Sequence, residues 1–310
     1  MTAVQSRPVI PLVSRPTGRA NIAIMGGEIS LFMVAMGLAA PLTFVPLFVS
    51  KLTDDPLAIG AVTAAFQLGW LPQVFVAGYV ERSARKWPWV IVCGGLERLP
   101  SLGLALCALA APRVDAAIVL AAVYLLCFCQ LLCGGLATTP WLDVVARTVP
   151  PRWRGQFLGG FTMLGTVLGA GAAALAAPLL DGYPFPYGFA ALFGLAFLVF
   201  AISWTLLLFV VEPPGPPPRP CRPFRAQVGD LGAVLVADRA FARFVGGVAF
   251  SALGMMGSGF LVVYASTALG ATDDQAAWYT AALLLGQTIG NLALGRLGDR
   301  RGMARVGQAT

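Results

Sequence analysis

The chain contains no histidine, and only 11% of its 310 residues are charged. The first absence removes the commonest general base and the commonest metal ligand. There is also no glycine-rich phosphate loop and no nucleophile paired with a base, so the residues for soluble-enzyme chemistry are missing. No enzymatic activity and no cofactor are expected. The scarcity of charge excludes an ordinary soluble domain, in which about a quarter of residues are charged. Outer-loop cysteine is missing too. The six cysteines are Cys93, Cys107, Cys127, Cys129, Cys133 and Cys221, and none falls in a predicted outer loop, so no disulfide framework is expected. Cys129 and Cys133 share a helix face. With no histidine and no acid nearby in that segment, small apolar packing is preferred to a metal site.

What is present is apolar sequence in long blocks. The chain is 58% hydrophobic, and its mean hydropathy is +0.79. A run of about 18 or more apolar residues spans a bilayer as a helix. Such runs occupy residues 23–50, 57–80, 88–111, 116–141, 156–180, 186–211, 242–268 and 276–297, and are numbered here as spans 1 to 8. Period-2 alternation of the barrel type is missing, so the spans are read as helices. The polar N-terminal tail has no cleavage pattern after the first apolar run, which is read as an uncleaved span.

Basic residues set the expected orientation. Only Lys51 and Arg113 fall in one set of loops, and Arg98 lies within span 3. The others cluster in the tail and the loops on the opposite side, which the positive-inside rule makes cytoplasmic. The net charge of +7 is therefore read as a topology signal, not as a nucleic-acid surface.

The stretch Glu212–Arg225, EPPGPPPRPCRPFR, breaks the pattern after six spans. Its prolines cannot continue a helix. This divides the chain into a tail (1–22), a six-helix unit (23–211), a Pro/Arg-rich linker (212–241) and a second, incomplete unit (242–310). The turn after span 2, AGYVERSARK, aligns with the turn after span 8, GRLGDRRGMAR. Glu81 matches Asp299, Arg82 matches Arg300 and Ala84 matches Gly302, so the second unit begins as a copy of the first.

GRLGDRRGMAR resembles the G-x-L-x-D-R-x-G-[RK] signature of the major facilitator superfamily through Gly295, Leu297, Asp299, Arg300 and Gly302. The first copy is degenerate, with Ala77, Glu81 and Ala84 in place of Gly, Asp and Gly. PPRWRGQFLG (Pro150–Gly159) is similar to that family's loop between spans 4 and 5. SKLTDDPLAIG and LERLP resemble bacterial branches with no assigned substrate. The resemblance implies an all-α polytopic inner-membrane transporter with the N-terminus cytoplasmic. It would move a small organic solute by alternating access, with the lipid bilayer as its other partner, no nucleic acid, and a monomeric chain. It further implies twelve spans. Eight are present, so a chain truncated after span 8 is expected, with a mature eight-span protein as the alternative. Rival classes are a receptor or scaffold of the same fold, and a membrane-embedded lipid-modifying enzyme, for which no polar cluster can be assembled.

By family geometry the repeated turn forms a cytoplasmic gate. Asp299 would address the positive N-terminal end of span 5, near Arg152, Arg154 and Gly155. Arg82, Arg85 and Arg300 would fix topology and meet acids, and Glu81 would reach toward a span 11 that the chain lacks. Gly295 and Gly302 would permit a sharp turn.

Transport chemistry is sought among polar residues at membrane depth. Glu97 and Arg98 lie near the middle of span 3, where a charge costs about 2.5 kcal/mol or more unless partnered. Neighbouring residues point about 100° apart on a helix, so these two are not expected simply to neutralise each other. They form either a proton-coupling site or a structural ion pair. Glu28 in span 1 either faces the cavity or pairs with Arg98. Thr43, Gln67, Tyr124, Gln130, Gln287 and Asn291 are candidates for the cavity wall, with interhelical hydrogen bonding as the alternative. Finally, Gly165-x-x-x-Gly169 in span 5 and Gly286-x-x-x-Gly290 in span 8 are expected to meet across the two units.

Overall fold

The computed structural model describes residues 15–72, 83, 85–213, 224–255 and 258–301, and the side chains of residues 15–17, 224–228, 230, 231, 248, 251–255, 258, 259 and 291–301 lie outside that description. Among the described residues there is no strand. The helices are α1 (Arg15–Ala39), α2 (Phe44–Ser50), α3 (Pro56–Leu68), α4 (Trp87–Ala110), α5 (Ala116–Thr148), α6 (Arg154–Ala174), α7 (Ala176–Gly182), α8 (Tyr187–Leu207), α9 (Phe224–Ala237), α10 (Arg239–Met255), α11 (Ser258–Ala268) and α12 (Asp273–Arg301). A 3₁₀ turn, Pro151–Trp153, leads into α6.

Among the described residues, five helical segments are long and apolar enough to cross a membrane: Gly18–Ser50, Trp87–Ala110, Ala116–Thr148, Pro151–Gly182 and Tyr187–Leu207. They coincide with expected spans 1, 3, 4, 5 and 6. Span 2 is represented by the shorter α3, and its expected continuation from Gln73 lies outside the described residues. Spans 7 and 8 correspond to α10–α11 and α12.

Local sequence sets the boundaries. Asp55 begins α3 by accepting a hydrogen bond from the Leu57 amide at 2.9 Å, with Pro56 at the first helical position. Asp115 does the same for α5 through the Ala117 amide at 2.8 Å. Asp238 accepts from the amides of Ala240 at 2.9 Å and Phe241 at 3.0 Å, opening α10. Span 1 is broken after Ala39: Ala40 takes a left-handed φ of 27°, and Pro41 follows. Non-helical backbone at such depth needs protein around it, and the break is buried.

The prolines end at Pro223, and the stretch expected as linker then folds as α9 before Asp238 opens the next helix. That stretch is free of proline and carries Ala and Leu, so a helix can form despite Gly229 and Gly232.

Two apolar clusters make up most of the buried core among the described residues. One gathers Phe44, Phe48, Leu104, Phe189, Phe193 and Phe200, with the Phe48 and Phe189 rings 5.6 Å apart. The other gathers Met25, Trp87, Val144, Val145 and Leu207. Along α4 and α8, Arg98 and Ser203 fall between the two clusters, so a polar layer divides the core. Interhelical hydrogen bonds fix α8 against its neighbours. The Trp87 indole donates to the Leu207 carbonyl at 3.1 Å and the Trp204 indole to the Ile91 carbonyl at 2.9 Å. The Asn21 amide exchanges two bonds with the Val211 backbone, at 2.7 and 3.1 Å.

Spans 5 and 8 do meet, but through alanines. Ala170 and Ala173 of α6 pack with Ala281 of α12. The glycine faces lie elsewhere. A Cβ at Gly165 would fall 2.7 Å from the Ser30 Cα, and one at Gly169 would fall 2.7 Å from the Met33 carbonyl oxygen, so both serve close approach to α1. Gly286 and Gly290 have open space beside them. Small residues license close approach without naming the partner, and span 1 takes that face of span 5. The expected turn at Gly295 is also corrected: α12 remains helical through Arg301, so Gly295 sits inside the helix.

Candidate functional site

The site is built on α4. Glu97 lies ten residues after Trp87, about 15 Å along the helix axis, near the middle of the span. Arg98 is 3% exposed, and its guanidinium is fully engaged. Its Nε donates to the Phe200 carbonyl at 3.2 Å, Nη1 to the Gly94 carbonyl at 2.5 Å, and Nη2 to Glu28 Oε1 at 2.7 Å and to Ser203 Oγ at 3.2 Å. The Phe32 ring lies beneath it, 5.3 Å from the guanidinium carbon to the ring centroid. One side chain thus ties α1, α4 and α8 together.

Glu28, 6% exposed, completes the buried pair. The Ser203 hydroxyl lies 3.3 Å from both its backbone carbonyl and its carboxylate, and the Trp141 indole lies beside it, outside hydrogen-bonding geometry. Glu97 occupies the other side of Arg98, its Oε2 3.6 Å from Nη1, with its side chain 15% exposed. The two adjacent side chains therefore do pair. The 100° separation expected from helix geometry is overcome by the length of the arginine, which folds back along its own helix toward Gly94. Gly134 of α5 makes room for Glu97, since a Cβ there would sit 2.5 Å from Oε1. Two carboxyls thus share one guanidinium.

This group lines a cavity of about 420 Å³. The wall is otherwise mostly apolar and aromatic, with Phe32, Met36, Phe66, Trp70 and Trp141 prominent, and Trp70 and Thr162 are its exposed members. Gln130 lines it as well. It is 2% exposed, and its amide nitrogen has no hydrogen-bond partner among the described residues.

The other sequence-derived candidates sit elsewhere. Tyr124 donates to the Ala58 carbonyl at 2.8 Å, joining α5 to α3. Thr43, at the break in span 1, receives a hydrogen bond from Thr280 of α12 at 2.8 Å. Gln67 and Gln287 are exposed, and the Asn291 side chain lies outside the described residues. None of the four whose side chains are described is in the cavity wall.

Of the gate residues, Glu81, Arg82 and Gly302 lie outside the described residues, as do the side chains of Leu297, Asp299 and Arg300. Arg85 and Arg152 are exposed, Arg152 lying 6.0 Å over the neighbouring Trp153 ring. Arg154 caps the end of α5, donating from Nε to the Val149 carbonyl at 3.0 Å and from Nη2 to the Ala146 carbonyl. A cation at a helix C-terminus also suits the dipole.

Sequence reasoning missed Ser203 and Glu212. Glu212, assigned to the linker, accepts from the backbone amides of Lys86 at 2.7 Å and Trp87 at 3.3 Å and lies 3.5 Å from Arg147. It is the cap of α4, supplied from 125 residues away. Arg147 also pairs with Asp143 one turn earlier.

Long apolar helices bundled around a charged cavity are the architecture of a multi-pass membrane protein. The family model described as Major Facilitator Superfamily matches residues 28–306. The chain belongs to that superfamily, whose members handle small molecules within the bilayer. Comparison with curated proteins gives no match.

Proposed function

We propose that the protein is a secondary active transporter that moves a small organic solute by alternating access, driven by protons exchanged at Glu97 beside the Arg98–Glu28 pair. The observation that carries this reading is the pair of carboxyls sharing one guanidinium on a cavity wall at membrane depth. With both carboxyls ionised the group carries one uncompensated negative charge, and a proton or a cation neutralises it. Charges at this depth are costly and occur where a pathway or relay needs them. The titratable groups facing Glu97 are Glu28 of α1, Arg98 and Cys93 of α4, and Cys133 of α5. From α8 the polar neighbour is Ser203, which does not titrate in the working range.

Alternating access requires contacts between the units that can open. Lys51 and Asp273, 2.7 Å apart, and Thr43 and Thr280 join the first unit to α12 at one end of the bundle. The arginine-rich opposite end would face the cytoplasm, with the N-terminus inside and the protein in the cytoplasmic membrane.

The test is proton movement in liposomes containing the full chain and an enclosed pH-sensitive dye, with a panel of small organic solutes added outside. Solute-dependent proton movement that disappears in E97Q is expected. Solute flux that proceeds without any proton movement would remove the coupling claim.

A further inference from the structure

Resting on the reading of the cavity as the solute site, we propose that its ligand is an amphipathic organic cation whose charged centre is held by the Glu97 carboxylate and exchanges there with a proton. Four observations lead to this chemistry.

Arg98 has no capacity left for an anion. A guanidinium offers five N–H donors. Four are directed to Phe200, Gly94, Glu28 and Ser203, and the remaining edge faces Glu97 at 3.6 Å. An anionic ligand would approach two carboxyls with no free cation to meet it.

Glu97, in contrast, is under-used. Its contact with Arg98 is long, no hydrogen bond to it is present among the described residues, and its side chain reaches the cavity. Glu28 accepts from both Arg98 and Ser203 at Oε1 and is the closer partner of the guanidinium, at 2.7 Å against 3.6 Å for Glu97. The negative charge that the group leaves uncompensated is therefore presented by Glu97.

The walls suit the rest of such a molecule. Phe32, Phe66, Trp70 and Trp141 supply aromatic surface, which attracts cations through the ring quadrupole as well as apolar groups. Met36 and Leu131 add apolar surface. A small hydrophilic cation would lose its hydration here without recompense, so the apolar part is required.

The unpartnered Gln130 amide, almost wholly buried, is the fourth observation. An unsatisfied buried donor is costly, and Gln130 is among the residues lining the same cavity, so a rotation of its side chain would bring the amide to an acceptor on the ligand.

Charge balances in the exchange. The cation arrives at Glu97 as one proton leaves it for water, so the group stays neutral in both states. Binding should therefore weaken on acidification, because protons and cation compete for one carboxylate.

Tetraphenylphosphonium and tetraphenylborate, matched in size and opposite in charge, form the test. Binding of each to the purified full chain is measured by equilibrium dialysis, at neutral and at acidic pH. The wild type should bind the phosphonium, more weakly in acid, and not the borate. E97Q should lose about tenfold or more in phosphonium affinity, together with its pH dependence. Met36→Trp, which narrows the cavity and leaves the charges in place, should weaken phosphonium binding while the protein stays folded. Equal or tighter binding of the borate overturns the proposal, as does unchanged phosphonium affinity in E97Q. Loss of phosphonium binding alongside proton movement driven by neutral solutes would overturn the cation class and leave the transport reading standing. Failure of both assays would remove both.

Discussion

The Arg98 guanidinium meets the Glu28 carboxylate at 2.7 Å across the interface of two helices, 70 positions apart in sequence, with each side chain less than a tenth exposed. Neither charge has water to fall back on. Breaking such a pair from one side leaves an uncompensated buried charge and costs about 3–5 kcal/mol, whereas replacing both partners is often nearly neutral. Arg98 carries more than Glu28, because it also bonds the Phe200 and Gly94 carbonyls and stands against Glu97.

R98M should therefore lower stability sharply in detergent, as two carboxyls are left without a cation. E28Q keeps the shape and an acceptor, so its loss should be smaller. The double variant E28Q/R98M should be more stable than the sum of the single losses, with a coupling of about 0.5–3 kcal/mol. Thermal unfolding of the four proteins checks this. If R98M melts with the wild type, the pair does not hold α1 to α4.

Glu212 makes a different prediction. A carboxylate that accepts two amides at a helix start combines capping with a favourable charge–dipole interaction. E212A should cost about 1–2 kcal/mol, and amide hydrogen exchange at Lys86 and Trp87 should accelerate before that of the α4 centre. E212Q, which retains acceptor capacity but loses the charge opposite Arg147, should fall between the two. Unchanged exchange at Lys86 in E212A would show that the cap contributes nothing.

These two groups mark what the sequence can and cannot disclose. The spans are legible because hydrocarbon demands apolar length, and Glu97 and Arg98 stand out because charge inside a span is expensive. Their partner is harder to read. Glu28 alone leaves open whether it faces a cavity or an arginine, since helix rotation is set by packing. Glu212 offers no local signal at all: it opens a proline-rich segment, and the helix it caps begins 125 positions earlier. Of the polar candidates, Gln130 reaches the cavity wall while Tyr124 and Thr43 bond neighbouring helices. Residue type is the same kind of evidence for both outcomes, and only the helix packing separates them.

The glycines provide a prediction with an internal control. At Gly169 a Cβ would lie 2.7 Å from the Met33 carbonyl oxygen, and at Gly165 it would lie 2.7 Å from the Ser30 Cα. Backbone cannot swing aside as a side chain can, so G165A and G169A should each cost about 1–3 kcal/mol through overpacking. At Gly286 and Gly290 there is open space inside a helix. G286A and G290A should be neutral, or stabilising by up to about 1 kcal/mol through helix propensity. Matching losses in all four variants would show that both glycine faces are tightly packed.

The Lys51–Asp273 pair should reveal itself in conformation and hardly at all in stability. Its side chains are 35% and 26% exposed, and a pair open to solvent contributes no more than about 1 kcal/mol after screening. Asp273 also lies in the first turn of α12, where its charge suits the helix dipole. A two-state opening responds to small energies: about 1 kcal/mol changes its equilibrium roughly fivefold. K51D alone sets like charges together and should open this end of the bundle, and the swap K51D/D273K should close it again. Thr280, buried on the same helix as Asp273 and bonded to Thr43, is a suitable reporter. In a background with the native cysteines replaced, T280C should react faster with a water-soluble thiol reagent when K51D is present, and the swap should restore slow reaction. The effect should diminish at high salt, as expected for an exposed pair. Equal labelling rates in all three proteins at low salt would mean that the pair does not bias the opening, leaving Thr43–Thr280 and the apolar packing around Phe44 to hold that end closed.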